Sequence, residues 1–295
     1  MANGNLREKL RAAEQGHYAL GHFNFSELVV LKAVAAAARD LGTPVVVGVS
    51  ESEREFVGVR QAAALIKSIR EESGIDIFLN ADHTHSLEKA VAAAKAGFDM
   101  VVFDVSKESF DENVKQTRAA VEALKSINPD IIVEGEIGYI GTSSAIHAEI
   151  PKDMSPLSTA EEAKQFVKAT NVDALAPAVG NMHGMLKSMV SGKEHKHLDI
   201  ARIAEIKHAA GVFLTLHGGS GTDAKQMTAA IQAGINLVHI NTELRVAWRR
   251  GLERALAEHP DEVAPYHLLP AAYDAVSQVV RQWLQAYRQS SKAVA

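Results

Sequence analysis

Eight short apolar runs, rich in β-branched residues, punctuate the chain: His17 to Phe25, Pro44 to Ser50, Asp76 to Asp82, Phe98 to Asp104, Ile131 to Gly138, Val172 to Gly180, Val212 to Gly219 and Ile235 to Thr242. Continuous apolar runs of this length suit strands buried on both faces. The stretches between them, such as Glu88 to Ala96 and Ala160 to Thr170, carry the Ala/Leu/Lys/Glu pattern of covering helices, and Ser158-x-x-Glu161 has the spacing of a capping-box helix start. Strand followed by helix, eight times over, predicts a (β/α)8 TIM barrel in the α/β class. A doubly wound open sheet is the rival, but no GxGxxG follows the first strand. From Asp261 onward, AAYDAVSQVVRQWLQAYRQ predicts an extra C-terminal helix that closes the barrel or packs on a neighbouring subunit. No Pro- or Ser-rich linker interrupts the chain, so one domain over residues 1–295 is expected, with a helical extension over about 261–295.

Composition narrows the chemistry. The chain has 295 residues, 47% of them hydrophobic, and a formal charge of -5 with no dense Lys/Arg tract, which argues against a nucleic-acid partner. No segment reaches the ~18 uninterrupted apolar residues of a membrane span, and the N-terminus lacks an apolar targeting core, so a cytoplasmic protein without membrane contact is expected. There is no cysteine. Any metal must therefore be held by the 13 histidines and by carboxylates.

A barrel builds its active site from the C-terminal ends of its strands. The predicted ends here are polar: Asn24, Ser50, Asp82 and His83, Asp104, Glu134 and Glu136, the segment Gly180-Asn-Met-His183, the segment His217-Gly-Gly-Ser220, then His239 and Asn241. A lone histidine at a strand end is more often a hydrogen-bonded structural residue. Three of them, His83, His183 and His217, at equivalent positions on one rim reinforce one another as a site for Zn2+ or another divalent transition metal with an open position. His85 is either a supporting residue or surface, His17, His208 and His259 are structural, and SGKEHKHLD with His195 and His197 reads as a solvated loop. TLHGGSGT adds backbone N–H groups able to approach an anion, with a helix start near Thr222 and Asp223 behind them. Asn241 and Thr242 are further donors at a helix start. Metal plus phosphate suggests a phosphorylated substrate.

Together these motifs resemble the class II, metal-dependent ketose-bisphosphate aldolases, of which this chain looks like a divergent member. GHFNF, LNADH, VEGEIG, DALAPAVGNMHG and LHGGSG fall in that family's order between Asn24 and Arg245. The resemblance implies that His83, His183 and His217 bind the metal, with Glu136 and Asp104 at an alternative metal position. It implies that Ser50, Gly184, Gly218, Ser220, Asn241 and Thr242 hold the phosphate of dihydroxyacetone phosphate. Asp82 would exchange the proton of the C4 hydroxyl, Asn24 would hydrogen-bond the enediolate, and Arg245 would meet the distal phosphate.

Departures accompany the likeness, among them Leu237 where the family has Lys. His239 stands where the family has Asn, the loop GTSSAIHAEIPKDM lacks the family's proton-moving acid and offers Glu149 as nearest substitute, and APYH replaces a DPRK-like segment. His239 is expected either to take over part of the proton transfer by titrating near neutrality, with Glu149 assisting, or only to reshape the pocket for a different substrate. The implied function is aldol cleavage or formation of a phosphorylated ketose, fructose-bisphosphate-like, as in glycolysis. Alternatives are an isomerase or epimerase, an aldolase for a ketose phosphate that is not a bisphosphate, and a non-catalytic sugar-phosphate-binding barrel. A homodimer or homotetramer is expected.

Overall fold

The computed structural model describes residues 5–141, 143–150 and 155–290. Eight parallel strands close into a barrel: β1 Leu20–Asn24, β2 Val45–Val49, β3 Ile77–Thr84, β4 Met100–Phe103, β5 Ile132–Ile137, β7 Ala174–Pro177, β9 Phe213–Leu216 and β10 Ile235–Ile240. Two short strands not foreseen from sequence, β6 Ile146–His147 and β8 Met185–Leu186, pair outside the barrel and join the loops after β5 and β7. The barrel expected from the strand–helix alternation is what forms.

Side chains alternate along each strand, so every second residue points into the barrel. The lowest inward layer is apolar. Leu20, Val46, Phe78, Met100, Ile132, Ala174, Phe213 and Leu237 form one buried cluster. Leu6, Leu10 and Ala13 of the helix Leu6–Gln15 belong to the same cluster and plug the barrel floor, a role the N-terminal sequence did not suggest. Two residues further along the strands the interior turns polar, with His22, Asn80, Glu134, Thr215 and His239 all buried. Gly48 on β2 makes room there, since a Cβ at that position would stand 2.2 Å from His22 Nε2.

The helix Ala160–Thr170 starts one residue later than its expected capping box: Thr159 and Glu162 make the reciprocal cap. Ser158 is instead buried, donating to the carbonyl of Ile137 at 2.8 Å and accepting from the Ala178 N–H at 2.9 Å. The predicted C-terminal helix is Pro265–Gln289, which packs against the helices Thr242–Glu258 and Leu28–Leu41 and so closes the seam between the first and last barrel units. No described helix is long and apolar enough to cross a membrane.

Candidate active site and metal centre

The strand β3 answers how two consecutive residues, Asp82 and His83, both serve the barrel mouth. Its pairing register with β4 shifts between Ala81 and Thr84, and His83 takes a left-handed φ of 39°. Such a backbone conformation is costly for a residue with a Cβ and persists where the surroundings hold it. Arg54 does the holding. Its buried guanidinium donates to the carbonyls of Val49 at 2.7 Å and Asp82 at 3.0 Å and to Thr84 Oγ1 at 2.8 Å.

His83 Nε2 faces His217 Nδ1 at 2.9 Å, while carboxylates engage the opposite ring nitrogens: Asp104 Oδ2 lies 2.9 Å from His83 Nδ1 and Glu134 Oε1 lies 2.6 Å from His217 Nε2. A carboxylate behind a ligand imidazole fixes its tautomer and aims its free lone pair. Asp104 thus stands behind His83 rather than in the converging set, where the alternative-metal expectation had it. That set is His83, Glu136, His183 and His217, whose ligand atoms all lie within 4.8 Å of one another. His183 Nε2 and Glu136 Oε2 are buried without a hydrogen-bond partner. Unpartnered buried polar atoms are costly. Here they converge with two imidazole nitrogens, so the donor set fits a divalent cation: three imidazoles and one carboxylate, with no thiolate.

The electrostatics agree. Burial disfavours a charged His83, but Asp82, Asp104 and Glu136 outweigh it and raise its pKa to about 10. Burial, then the charge of Asp104, pushes Glu136 well above the usual carboxyl range. Burial together with His83 and His217 keeps His183 neutral, the form that ligates. Protons favoured on His83 and Glu136 in the metal-free cluster are what a bound cation displaces.

Asp82 opens onto a cavity of about 380 Å³ that is also lined by Ser50, His83, His183, Ser144, Asn241 and Arg245. Against the upward push of burial, His83 and His239 hold the Asp82 carboxyl well below its usual pKa. Its Oδ2 accepts from Asn24 Nδ2 at 2.8 Å. Its Oδ1 stands 3.3 Å from His239 Nδ1.

His239 sits in a stack of imidazoles. Its ring centroid is 3.5 Å from that of His22 and 4.0 Å from that of His217. Burial, then the neighbouring His217 and His22, lowers its pKa well below the ordinary value. A histidine so placed favours its neutral form, which weighs against proton transfer by titration near neutrality and favours the alternative that His239 reshapes the pocket. It keeps a donor and an acceptor nitrogen.

Of the residues that the resemblance assigns to the phosphate, Ser50 and Asn241 line the cavity with Asp82, whereas Gly184, Gly218, Ser220 and Thr242 are not among its lining. Gly218 (φ 61°) and Gly184 (φ 77°) are both left-handed, and a Cβ on Gly218 would lie 2.1 Å from the carbonyl oxygen of Met182. Ser220 Oγ accepts from Glu243 N at 3.3 Å at the start of the helix Thr242–Glu258, for which Asn241 is an N-cap without a side-chain capping bond. Thr242 Oγ1 donates to the Ser144 carbonyl at 3.3 Å, bringing the loop after β5 over this corner. Ser50 is the N-cap of the helix Glu51–Val57. Glu149 is exposed on the loop after β5 and does not line the cavity; Thr142 and residues 151–154 of that loop lie outside the described residues.

Glu53, Arg54, His22 and Lys196 were not singled out from sequence. Glu53 is 5% exposed and binds Arg245 Nη2 at 2.6 Å, Asn24 Nδ2 at 2.9 Å and the Ser50 N–H at 2.7 Å. Three inward positions on β1, Leu20, His22 and Asn24, follow the strand period, which was the available signal for His22. Glu53 and Arg54 lie in the polar run ESER, which gives no such signal.

A closed parallel barrel whose C-terminal rim gathers three histidines and a carboxylate able to hold a metal ion has the architecture of a metal-dependent barrel enzyme. The sequence pattern described as fructose-bisphosphate aldolase class-II matches residues 4–292, and the chain belongs to that family. It is a lyase of a family that depends on a divalent metal. It is 31% identical to the fructose-bisphosphate aldolase of Geobacillus stearothermophilus, over 98% of each chain. It is 32% identical to the 6-phospho-5-dehydro-2-deoxy-D-gluconate aldolase of Shouchella clausii strain KSM-K16, covering 96% of this chain and 94% of that one. The crystal structure of the YdjI aldolase from Escherichia coli K12 shares the fold, with a TM-score of 0.78, 24% identity and 96% of each chain covered.

Proposed function

We propose that the chain cleaves a ketose 1-phosphate between C3 and C4, releasing dihydroxyacetone phosphate and an aldehyde that carries no second phosphate. The convergence of His83, His183, His217 and Glu136 beside the Asp82 carboxylate carries the reading. These four residues would hold the divalent cation, taken as Zn2+ from the imidazole-rich donor set, and it would supply Lewis acidity at the substrate carbonyl.

The remaining steps belong to the chain. Asp82 favours its ionised form and lines the cavity, so it takes the C4 hydroxyl proton as the C3–C4 bond breaks and the bonding electrons pass to the three-carbon fragment. Asn24 fixes the rotamer of Asp82 through one amide N–H and is itself held by Glu53 through the other; to meet the charge developing on the fragment it would have to release one of these two partners. His239, neutral and 3.3 Å from Asp82, positions the carboxylate rather than carrying charge itself. Gly184, Gly218, Ser220 and Thr242 hold the phosphate end.

The distal end favours an uncharged aldehyde. Arg245 would have to leave Glu53 to meet a phosphate dianion, and the buried Glu53 carboxylate would repel that dianion. Relatives of nearly equal identity act, by name, on fructose bisphosphate and on 6-phospho-5-dehydro-2-deoxy-D-gluconate, so identity does not choose the distal group and the pocket must. A cytoplasmic homo-oligomer is part of the same proposal, supported by the exposed apolar Val263 and Tyr266 at the C-terminal helix. The test is a panel of ketose 1-phosphates and bisphosphates, with triose phosphate measured before chelation, after it, and after Zn2+ is restored. Triose phosphate release that chelation abolishes and Zn2+ restores is expected. Release unaffected by chelation, or none from any member, defeats the proposal.

A further inference from the structure

Lys196 lies in the run SGKEHKHLD that the sequence presents as a solvated loop, yet it is 3% exposed. Its backbone is anchored first: the Lys196 N–H donates to the Gly221 carbonyl at 3.0 Å, and Lys196 bridges to Thr222. Its side chain then turns inward, and Nζ donates to three backbone carbonyls, those of Met182 at 2.7 Å, Gly184 at 2.8 Å and Gly218 at 2.8 Å.

Three carbonyl acceptors around one nitrogen require three N–H donors, and only the ammonium form has them. No carboxylate contacts that charge among the described residues, and Glu243 acts on it only from further away. A buried and uncompensated cation is expensive, and burial pulls this ammonium's pKa down to about 7. Such a group persists where something else needs it. The carbonyls it holds identify the beneficiaries: Met182 and Gly184 flank the ligand His183, and Gly218 follows the ligand His217. Asn181 ties the same two loops, through Nδ2 to the His217 carbonyl at 3.1 Å. Gly184 and Gly218 are also the glycines of the phosphate corner.

We propose that Lys196 is a positioning residue with two tasks. Its ammonium fastens the His183 loop to the His217 loop so that both imidazoles meet one metal, and its charge, which no described carboxylate contacts, lies beside Gly184 and Gly218 to attract the substrate's dianion. The second task rests on the aldolase reading; the first does not, because metal affinity is read without turnover.

Lys196→Met keeps the length and removes the donors and the charge. Its affinity for Zn2+ in chelator competition is expected to fall about 10- to 100-fold, and the KM for the phosphorylated ketose to rise by a similar factor, since small misplacements of such groups cost that much. Ammonium chloride should restore both by filling the vacated carbonyl nest, whereas choline chloride at equal ionic strength should not. Lys196→Gln is the parallel variant: its amide still donates to carbonyls but carries no charge. It should retain Zn2+ while binding inorganic phosphate at least about tenfold more weakly by calorimetry. Parental Zn2+ affinity in Lys196→Met, or recovery no better with ammonium than with choline, overturns the clamp. Parental phosphate affinity in Lys196→Gln overturns the electrostatic task. Weakened Zn2+ and phosphate binding with no aldol cleavage in the parent would leave Lys196 as proposed and refute the aldolase reading instead.

Discussion

The two walls of the cavity treat charge in opposite ways. On the metal side, His183 Nε2 and Glu136 Oε2 are buried and unpartnered, and two further imidazole nitrogens face one another at 2.9 Å. On the distal side Arg245 is matched by Glu53 at 2.6 Å, and the neighbouring Arg249 by Glu253 at 2.7 Å. Beyond Arg245 lies a larger cavity of about 600 Å³ whose lining includes Phe25, Val30, Phe56, Leu244 and Trp248. One wall leaves polar atoms open for something the protein does not supply. The other pairs its two arginines with glutamates, engages Glu27 with the backbone N–H groups of Val29 and Val30, and offers apolar surface. Unpaired groups point to ionic ligands and paired ones to neutral ligands, which is why the near half is assigned a cation and a phosphate and the distal half neither.

The metal wall breaks most completely. Replacing His83, His183 or His217 by Ala removes one of four converging donors and is expected to abolish tight metal binding and with it the cleavage activity; full metal occupancy by mass spectrometry in all three variants would dismantle the centre. Asp82→Ala should retain the metal and slow carbon–carbon cleavage by about 10²- to 10⁴-fold, while proton exchange at C3 of dihydroxyacetone phosphate suffers less. If the variant loses metal or fold instead, with no separable kinetic defect, Asp82 is a structural carboxylate.

How much of this was legible beforehand follows from where each residue sits. The barrel was, because eight buried strands leave eight apolar runs. The convergence of His83, His183 and His217 on one rim was, because the end of an apolar run marks the barrel mouth. Asp104 and Glu134 were legible as strand-end acids but not as partners of particular imidazoles, since that pairing depends on which strands face across the barrel. Glu53, Arg54 and Lys196 lie in polar runs that look solvated. They are buried only because the helix Glu51–Val57 and the loop before Asp199 fold over the rim, a tertiary fact without local periodicity. The place of His239 on the last barrel strand was legible, but its stacking on His22 and His217 was not, because that involves three separate strands.

A third effect concerns pH. In the metal-free fold the pKa of His83 is raised from 6.5 to about 10, so its protonated form stabilises that fold fully below pH 6.5 and the contribution is lost as pH rises toward 10. A cation must displace this proton. Affinity for Zn2+ should therefore increase by at least about tenfold per pH unit across the window from 7 to 9, with at least one proton released per ion bound. Calorimetry in buffers of differing ionisation enthalpy counts that proton; a pH-independent affinity would remove His83 from the ligand set.

The smallest effect is expected at the distal wall. Glu53→Gln keeps the oxygen that accepts from Ser50 and Asn24 but frees Arg245 from its counter-charge. The kcat/KM for a ketose 1,6-bisphosphate relative to the 1-phosphate should rise about tenfold. A fall in both together, accompanied by a lower Tm, would instead mark Glu53 as a support for Asn24.

The contrast between the walls is tested most directly in the unaltered protein. The Zn2+-loaded enzyme is given a ketose 1-phosphate and its 1,6-bisphosphate, and kcat/KM for dihydroxyacetone phosphate release is measured for each. The account predicts higher kcat/KM for the 1-phosphate, with both activities lost on chelation. A preference for the bisphosphate would show that Arg245 leaves Glu53 for a second phosphate and would contradict the account of the distal wall.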